Sequence, residues 1–121
     1  MPAADDAFRG EKPIEEQARE QTGQQQVAIR IDERNMSSCY SNAFRTNGTA
    51  EEVMLDFGLN LVRPPAQPQA QPEILFQVSN RVILNYYSAK RLALALGQLI
   101  RRHEEQFGQL ELDVAKRSKS R

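Results

Sequence analysis

The only histidine and the only cysteine of the chain are the obvious candidates for catalytic chemistry. A histidine acts as a general base only when a second group orients it and a nucleophile lies within hydrogen-bond reach. No such partner can be identified near His103, which lies four residues after Leu99 and four before Phe107 on the apolar face of a predicted helix. Cys39 has no surrounding motif and only this one histidine to activate it. We therefore predict a packed or cap-stabilising histidine and a small buried thiol.

Neighbouring acidic residues are the next candidates, for metal binding or acid–base chemistry. Three such pairs occur, Asp32-Glu33, Glu51-Glu52 and Glu104-Glu105. Adjacent side chains on a strand or a helix point in different directions, so the carboxylates of a pair do not converge on one ion. The glycines form neither a GxGxxG nor a Walker pattern, which are the usual phosphate-binding loops. The sequence therefore predicts no catalytic, cofactor-binding or metal-ligating residue, no cofactor, and a protein that is not an enzyme.

The net charge of zero hides an uneven distribution along the chain. Residues 1–24 contain six acidic and three basic residues, whereas residues 116–121 contain four basic residues and no acidic one. A flexible basic tail binds phosphate chains without sequence preference. Nucleic-acid binding is therefore an alternative function, and its candidate contacts are Lys90, Arg91, Lys116, Arg117, Lys119 and Arg121.

Signals for export or membrane insertion are not visible in the sequence. Residues 1–25 hold no apolar stretch typical of a secretory signal. The longest uninterrupted apolar run, residues 92–96, is far shorter than the roughly 20 residues of a membrane-spanning helix. A single cysteine allows no disulfide within the chain, as is typical of a reducing compartment. We expect a cytoplasmic protein with no membrane partner.

Hydrophobic periodicity predicts the elements that position these residues. A helix is predicted from Ser88, whose hydroxyl could cap its first turn, to Gly108, which can take the left-handed conformation that ends helices. A hairpin turn is predicted at Asn47-Gly48, and extra loop residues around Thr49–Glu51 stay open. Strands are predicted near residues 27–31, 39–46, 53–59 and 74–84. The fold class is α+β: an antiparallel sheet of about four strands, followed by one long carboxy-terminal helix packed on one face.

Composition predicts where the domain begins and ends. Residues 1–26 are acidic, rich in Gln and poor in large apolar side chains, so they cannot offset the entropy of ordering and should form a disordered tail. A transient helix around residues 14–21 stays open. Residues 115–121 should form a disordered basic tail. Residues 27–114 then form a single α+β domain, in which the Pro- and Gln-rich residues 63–72 are a loop. Whether that loop is a site for a proline-recognising domain stays open.

A single helix covers only one face of such a sheet. The covered face is predicted to contain Val27, Ile29, Ile31, Val53, Leu55, Phe57, Ile74, Phe76, Val78, Val82 and Leu84, and the helix to contact it through Leu92, Leu96, Leu99, Ile100 and Phe107. The opposite face is mixed, with Met54, Leu75 and Ile83 among polar residues. Apolar groups on an otherwise solvated face favour a partner, most simply a second copy of the chain. We expect these three residues to form a self-association face, in a dimer or a larger homo-oligomer.

Five short segments together resemble a known family. They are Tyr40-Ser41-Asn42, then Glu-Val-Met-Leu-Asp-Phe at residues 52–57, Arg-Val-Ile-Leu at 81–84, Ala-Lys-Arg-Leu at 89–92 and Glu-Glu-Gln-Phe-Gly at 104–108. In these segments the chain is similar to short prokaryotic proteins grouped as a domain of unknown function, DUF3467. Similar proteins often have a proline shortly before the Ala-Lys-Arg-Leu segment, where this chain has Tyr86-Tyr87-Ser88. The resemblance implies no activity, because the family has no assigned chemistry.

A looser similarity concerns architecture alone. A four-stranded antiparallel sheet followed by a helix looks like the export chaperone SecB, and exposed apolar sheet surface can accept extended segments. Binding of extended polypeptides is therefore a second alternative function. The leading hypothesis is a non-catalytic, self-associating α+β protein that acts as a protein-interaction module and has a protein partner.

Overall fold

The structure is a computed structural model and describes residues 11–119 of the chain. Its elements are α1 (Glu11–Thr22), β1 (Ala43–Gly48), β2 (Glu52–Arg63), β3 (Glu73–Asn85), α2 (Tyr86–Phe107) and α3 (Val114–Lys119). The described residues fall into two compact units. Arg30–Lys90 form the sheet unit, and the residues up to Ile29 together with those from Arg91 onward form the helix unit.

The sheet unit contains three strands in the order β1-β2-β3, and both pairs are antiparallel. The predicted α+β class, the antiparallel sheet and the long helix that follows it are confirmed, but the sheet has three strands and not four. Residues 27–31 alternate in hydrophobicity as predicted, yet no strand of the described chain pairs with them. Alternation shows that a segment suits a half-buried strand, but a strand forms only where a second strand offers its hydrogen-bonding groups.

The turn between β1 and β2 lies just after Asn47-Gly48, at the residues around Thr49–Glu51 that the sequence left open as additional loop. Asn47 and Gly48 are still paired with β2, and the chain reverses where the amide of Thr49 donates to the carbonyl oxygen of Glu52 at 2.9 Å. The Thr49 hydroxyl accepts from the amide of Glu52 at 3.1 Å. Side-chain hydrogen bonds of this kind stabilise turns without the positive φ that Asn-Gly would supply.

A β-bulge interrupts the pairing of β2 with β3. Phe57 pairs with Asn80 and Gly58 pairs with Val78, so Ser79 is an extra residue on β3. Gly58 is buried, and a Cβ atom there would lie only 2.9 Å from the Cα of Val78. Glycine is therefore required where the two backbones approach.

The bulge corrects the predicted faces of the sheet. The prediction placed Ile74, Phe76 and Val78 on the same face as Val82 and Leu84, because all five positions are even. The extra residue between them changes the phase of the alternation, so the register puts the first three on one face and the last two on the other.

Residues 64–72 connect β2 to β3 as a long loop. The loop is closed at its base by the register pair Arg63–Glu73. Within it, the amide of Ala70 donates to the carbonyl oxygen of Gln67 at 3.0 Å, which marks a turn. The predicted loop is thus present.

Helix α2 begins two residues earlier than predicted and ends where predicted. Its first turn is capped by Asn85, whose Oδ1 accepts from the amide of Ser88 at 2.8 Å, so Ser88 is not the cap. The helix ends at Phe107, and Gly108 has a φ of 97° and donates its amide to the carbonyl oxygen of Glu104 at 2.8 Å.

The helix unit contains structure where the sequence predicted tails. Residues of α1 lie within the predicted disordered segment, and those of α3 from Ala115 onward lie within the predicted basic tail. In α1, Glu20 accepts a hydrogen bond from Nε of Arg91 in α2 at 2.7 Å. Good helix formers and this ion pair favour a helix despite the low hydrophobicity of the segment. The outer parts of both predicted tails lie outside the described residues.

Hydrophobic burial is low throughout the described residues. None of their hydrophobic side chains is buried, and Asp56 is the one charged or polar side chain that is, with 2% of its surface exposed. The apolar stripe of α2 is also open, since Leu96 is 47% and Phe107 65% exposed. The described chain therefore has no hydrophobic interior of its own.

Candidate functional site

The two residues with the clearest catalytic potential are engaged in ordinary contacts. His103 is half-buried in α2, and its ring centroid lies 4.9 Å from that of Phe107. Cys39 is exposed, which corrects the predicted buried thiol, and its Sγ donates to Oδ1 of Asn80 at 3.4 Å. The predicted burial of Cys39 assumed that residues 39–46 are all strand, but β1 begins only at Ala43. Neither contact provides the oriented base or the activated nucleophile that catalysis needs.

The most organised polar group in the sheet unit is one that the sequence analysis did not single out. Arg45 of β1, Asp56 of β2 and Arg81 of β3 are neighbours in the register of the three strands. We call these three residues the Asp56 cluster. A carboxylate between the apolar residues Leu55 and Phe57 was the available signal in the sequence, but only the register shows which arginines lie beside it.

The hydrogen bonds of the Asp56 cluster connect all three strands. From Arg45, Nε and Nη2 donate to Oδ2 of Asp56 at 2.9 and 2.7 Å. From Arg81, Nε donates to Oδ1 at 2.6 Å and Nη2 donates to Oδ2 at 3.0 Å. The carboxylate is buried, while the two arginine side chains are 57% and 50% exposed. The cluster therefore joins the strands and carries a net positive charge at its solvent side.

The two guanidinium groups set the ionisation of Asp56. The hydrogen bonds from Arg81 and Arg45 hold the pKa of Asp56 far below its ordinary value of 3.8, and they outweigh the effect of burial, which raises it. The same contact raises the pKa of Arg81. Asp56 is thus ionised and fully engaged near neutral pH, so it neither donates nor accepts a proton there.

Apolar side chains surround the Asp56 cluster on the same face of the sheet. The Cζ atom of Arg45 lies 5.9 Å from the ring centroid of Phe76, at cation–π distance. Met54 and Ile83 are direct register partners, two positions along β2 and β3 from the Asp56–Arg81 pair. We call this side, which carries the cluster with Met54, Phe76 and Ile83, the Asp56 face.

The structure brings together two of the three predicted self-association residues. Met54 and Ile83 pair on the Asp56 face, but Leu75 pairs with Leu61 on the far side of the bulge. The register places Leu75 on the opposite face of the sheet. The three residues therefore do not form one surface within a protomer.

The predicted nucleic-acid contacts have different surroundings. Arg91 is paired with Glu20, and Arg117 donates from Nη2 to the carbonyl oxygen of Leu112 at 3.3 Å. Lys90 and Lys116 are exposed. Lys119 ends α3, and Arg121 lies outside the described residues. Nucleic-acid binding stays a prediction.

Metal-ion and small-molecule sites are the remaining candidates among the described residues. In residues 11–119 no group of three or more His, Cys, Asp or Glu side chains is placed to hold a metal ion. A cavity of about 90 Å³ lies between α1 and α2, lined by residues that include Glu16, Glu20 and Arg91. Ligand pockets usually have several hundred Å³, so this cavity admits little more than water. No helix within the described range is long and apolar enough to cross a membrane.

Fold and site together define a small α+β protein with an antiparallel sheet cross-linked by a buried carboxylate and two arginines, followed by a long helix. Its sequence matches the family model described as protein of unknown function (DUF3467) over residues 11–112. The chain belongs to this family, as the resemblance of its five segments indicated. A comparison with curated proteins and another with solved structures found no match.

Proposed function

We propose that this protein is a non-catalytic interaction module that works as a homo-oligomer and binds protein through its apolar surfaces. The observation that carries the proposal is that no hydrophobic side chain among the described residues is buried in the isolated protomer. Ordering the backbone costs roughly 1–2 kcal/mol per residue, and buried apolar surface is the main term that offsets this cost. A second copy would supply the missing burial.

The exposed apolar side chains occur in both units. In the sheet unit, Phe44 is 71%, Ile74 63% and Ile83 54% exposed. In the helix unit, Leu94 is 60% and Phe107 65% exposed. Apolar exposure on this scale is typical of surfaces that bind other proteins. Closed homo-oligomers are the commonest assemblies of soluble chains, so a second copy is the simplest first partner.

The Asp56 cluster supports a role in binding rather than in catalysis. Its carboxylate accepts four hydrogen bonds and its pKa is lowered, so it is unsuited to proton transfer near neutral pH. The two half-exposed arginines offer further donors beside Met54 and Ile83. A polar group within an apolar surface favours one docking geometry over others. The single cysteine favours a reducing compartment, and we propose the cytoplasm.

The mass of the purified chain in solution tests the proposal. Sedimentation and light scattering over a wide concentration range should give a mass at least twice 13.8 kDa. Ile83→Lys should lower that mass, because a charge replaces an apolar group on the Asp56 face. The matched variant Leu112→Lys, at an 86% exposed position outside the sheet, should leave it unchanged. A strictly monomeric mass at every concentration would contradict the proposal.

A further inference from the structure

The outer edge of β3 is open. The strand runs over 13 residues, Glu73–Asn85, and is the last in the sheet order β1-β2-β3. Its other edge pairs with β2 along its whole length, interrupted only by the bulge. No described strand pairs with the outer edge, and most of its residues are exposed. A row of backbone donors and acceptors is therefore available for a further strand.

The two edge strands of the sheet differ in length and composition, and the differences favour β3 as the strand that pairs with a partner. The edge strand β1 has only six residues, Ala-Phe-Arg-Thr-Asn-Gly, most of them polar or small. Strand β3 has no proline and no lysine, and seven of its residues are large and apolar: Ile74, Leu75, Phe76, Val78, Val82, Ile83 and Leu84. Natural proteins usually protect exposed edges with short strands, lysine or proline. Edge β1 is protected by its length and composition. Strand β3 has one protective feature, its bulge, but it is long and contains no lysine or proline.

We propose that β3 pairs edge to edge, antiparallel, with β3 of a second copy, so that two three-stranded sheets become one six-stranded sheet. This inference rests on the proposed function and names the surface through which the chain associates. Antiparallel pairing of a strand with its own copy about a two-fold axis makes the same surface serve both partners.

The sequence of β3 suits pairing with itself. Its two ends are apolar, at residues 74–76 and 82–84, and its middle contains Gln77, Ser79, Asn80 and Arg81. An antiparallel copy therefore places each apolar end beside the apolar end of its partner. A two-fold axis near Ser79 also keeps the polar middles of the two strands together.

The bulge limits the register of this pairing. Directly opposed residues must lie on the same face of the combined sheet, and the bulge puts Phe76 and Arg81 on the same face. One register that satisfies this condition places Phe76 opposite the partner's Arg81 and Ile74 opposite the partner's Ile83. Without the extra residue Ser79, these pairs would lie on opposite faces.

Amide hydrogen exchange of the unmodified chain, resolved by residue, tests the inference. If β3 pairs on both edges, all amides between Ile74 and Leu84 should be protected, apart from those freed by the bulge. If its outer edge is open, every second amide should exchange as fast as in an exposed segment. Strand β1, whose outer edge should stay open, provides the internal control, because its amides should alternate between slow and fast exchange.

The possible outcomes separate the inference from the proposed function. An oligomer in which alternate β3 amides exchange fast would overturn the edge pairing and leave the interaction module intact. A monomer would overturn both. Full protection that arises only after an extended peptide, such as one copied from residues 73–85, is added in excess would make a polypeptide the occupant and overturn pairing between folded copies.

Cross-linking provides a second test that does not depend on exchange rates. In a Cys39→Ser background, Ser79→Cys places a thiol next to the proposed two-fold axis, and mild oxidation should convert most of the chain into a covalent dimer. The matched control Thr46→Cys in the same background places its thiol on β1 and should stay monomeric in denaturing gels. Equal cross-linking of both variants, or none at position 79 in a folded oligomer, would contradict the pairing.

Discussion

Asp56 is the residue on which the sheet is organised. A carboxylate at this depth would be costly if it were alone, but two arginines from the neighbouring strands supply four hydrogen bonds to it. If one residue of the cluster is removed, the remaining residues keep a charge without its partner. The stability lost by such a substitution therefore exceeds the net stability that the complete cluster contributes. The cluster also fixes register, because only one alignment of the three strands brings Arg45 and Arg81 beside the same carboxylate.

Replacement of Asp56 by asparagine should destabilise the chain in a pH-dependent way. The folded-state pKa of Asp56 is below its ordinary value of 3.8, so its carboxylate stabilises the fold above that value, and the stabilisation is lost as the pH falls below it. Denaturant unfolding at pH 7 should therefore show a clear loss of unfolding free energy in Asp56→Asn, and the loss should shrink below pH 4.

A local ion pair provides the control for this prediction. Asp32 is held by Arg34 only two residues away, and both side chains are largely exposed. Exposed pairs of this kind contribute little to stability, so Asp32→Asn should behave like the unmodified chain at pH 7. If the unfolding free energies of the unmodified chain and of Asp56→Asn differ by the same amount from pH 7 to pH 3, the charge of Asp56 is not the cause of the difference.

Among the elements, the sheet shows which features hydrophobic periodicity can predict and which it cannot. The sequence predicts strands close to the observed β2 and β3, since both alternate over most of their length. It does not predict Ser79 as an extra residue, because a polar residue in the middle of a strand can lie on either face of the sheet. Gly58 is the one local sign of the bulge, and its meaning depends on the backbone of β3 across from it.

Two glycine substitutions should change stability in opposite directions. In Gly58→Ala the new Cβ collides with the backbone of β3 at Gln77 and Val78, and the free energy of unfolding should fall by about 3 kcal/mol. In Gly97→Ala, within α2, the new Cβ meets nothing within 4 Å, and stability should rise by about 1 kcal/mol because alanine is the better helix former. Chemical denaturation of both variants measures the two changes, and a neutral Gly58→Ala would show that the bulge can rearrange.

The start of α2 distinguishes the predicted cap from the observed one. Asn85→Ala removes the oxygen that accepts from the amide of Ser88, and the chain should lose about 1 kcal/mol of unfolding free energy. Ser88→Ala removes the hydroxyl that sequence reasoning selected, and should be neutral or stabilising by about 0.5 kcal/mol. Thermal unfolding of both variants decides which residue caps the helix. A larger loss of stability in Ser88→Ala than in Asn85→Ala would show that Ser88 is the cap.

For the whole molecule, fold class was predictable and burial was not. The hydrophobic period changes from that of a strand to that of a helix near Asn85, and a glycine follows the end of α2. These two features predict a sheet followed by a helix. The same apolar residues also predicted a covered face, yet Val82 is 44% and Ile74 63% exposed. Periodicity identifies residues that favour burial, but it does not say whether the covering surface comes from the same chain or from another copy.

Coupling of folding to association should make thermal stability depend on concentration. If a second copy provides the buried surface, mass action stabilises the folded state, and the midpoint of thermal unfolding should rise as the protein concentration rises. Calorimetry over a hundredfold range of concentration measures this shift. A midpoint that does not move, together with a monomeric mass, would require the described chain to be stable with its apolar side chains in water.

The loop at residues 64–72 has a practical consequence. Its base is closed by the pair Arg63–Glu73, and lengthening a closed surface loop costs only about 0.6 kcal/mol for each doubling. A fluorescent reporter or an affinity epitope grafted at the turn near Gln67 should therefore leave the sheet undisturbed. Such a handle would let the assembly be followed inside living cells without altering either end of the chain.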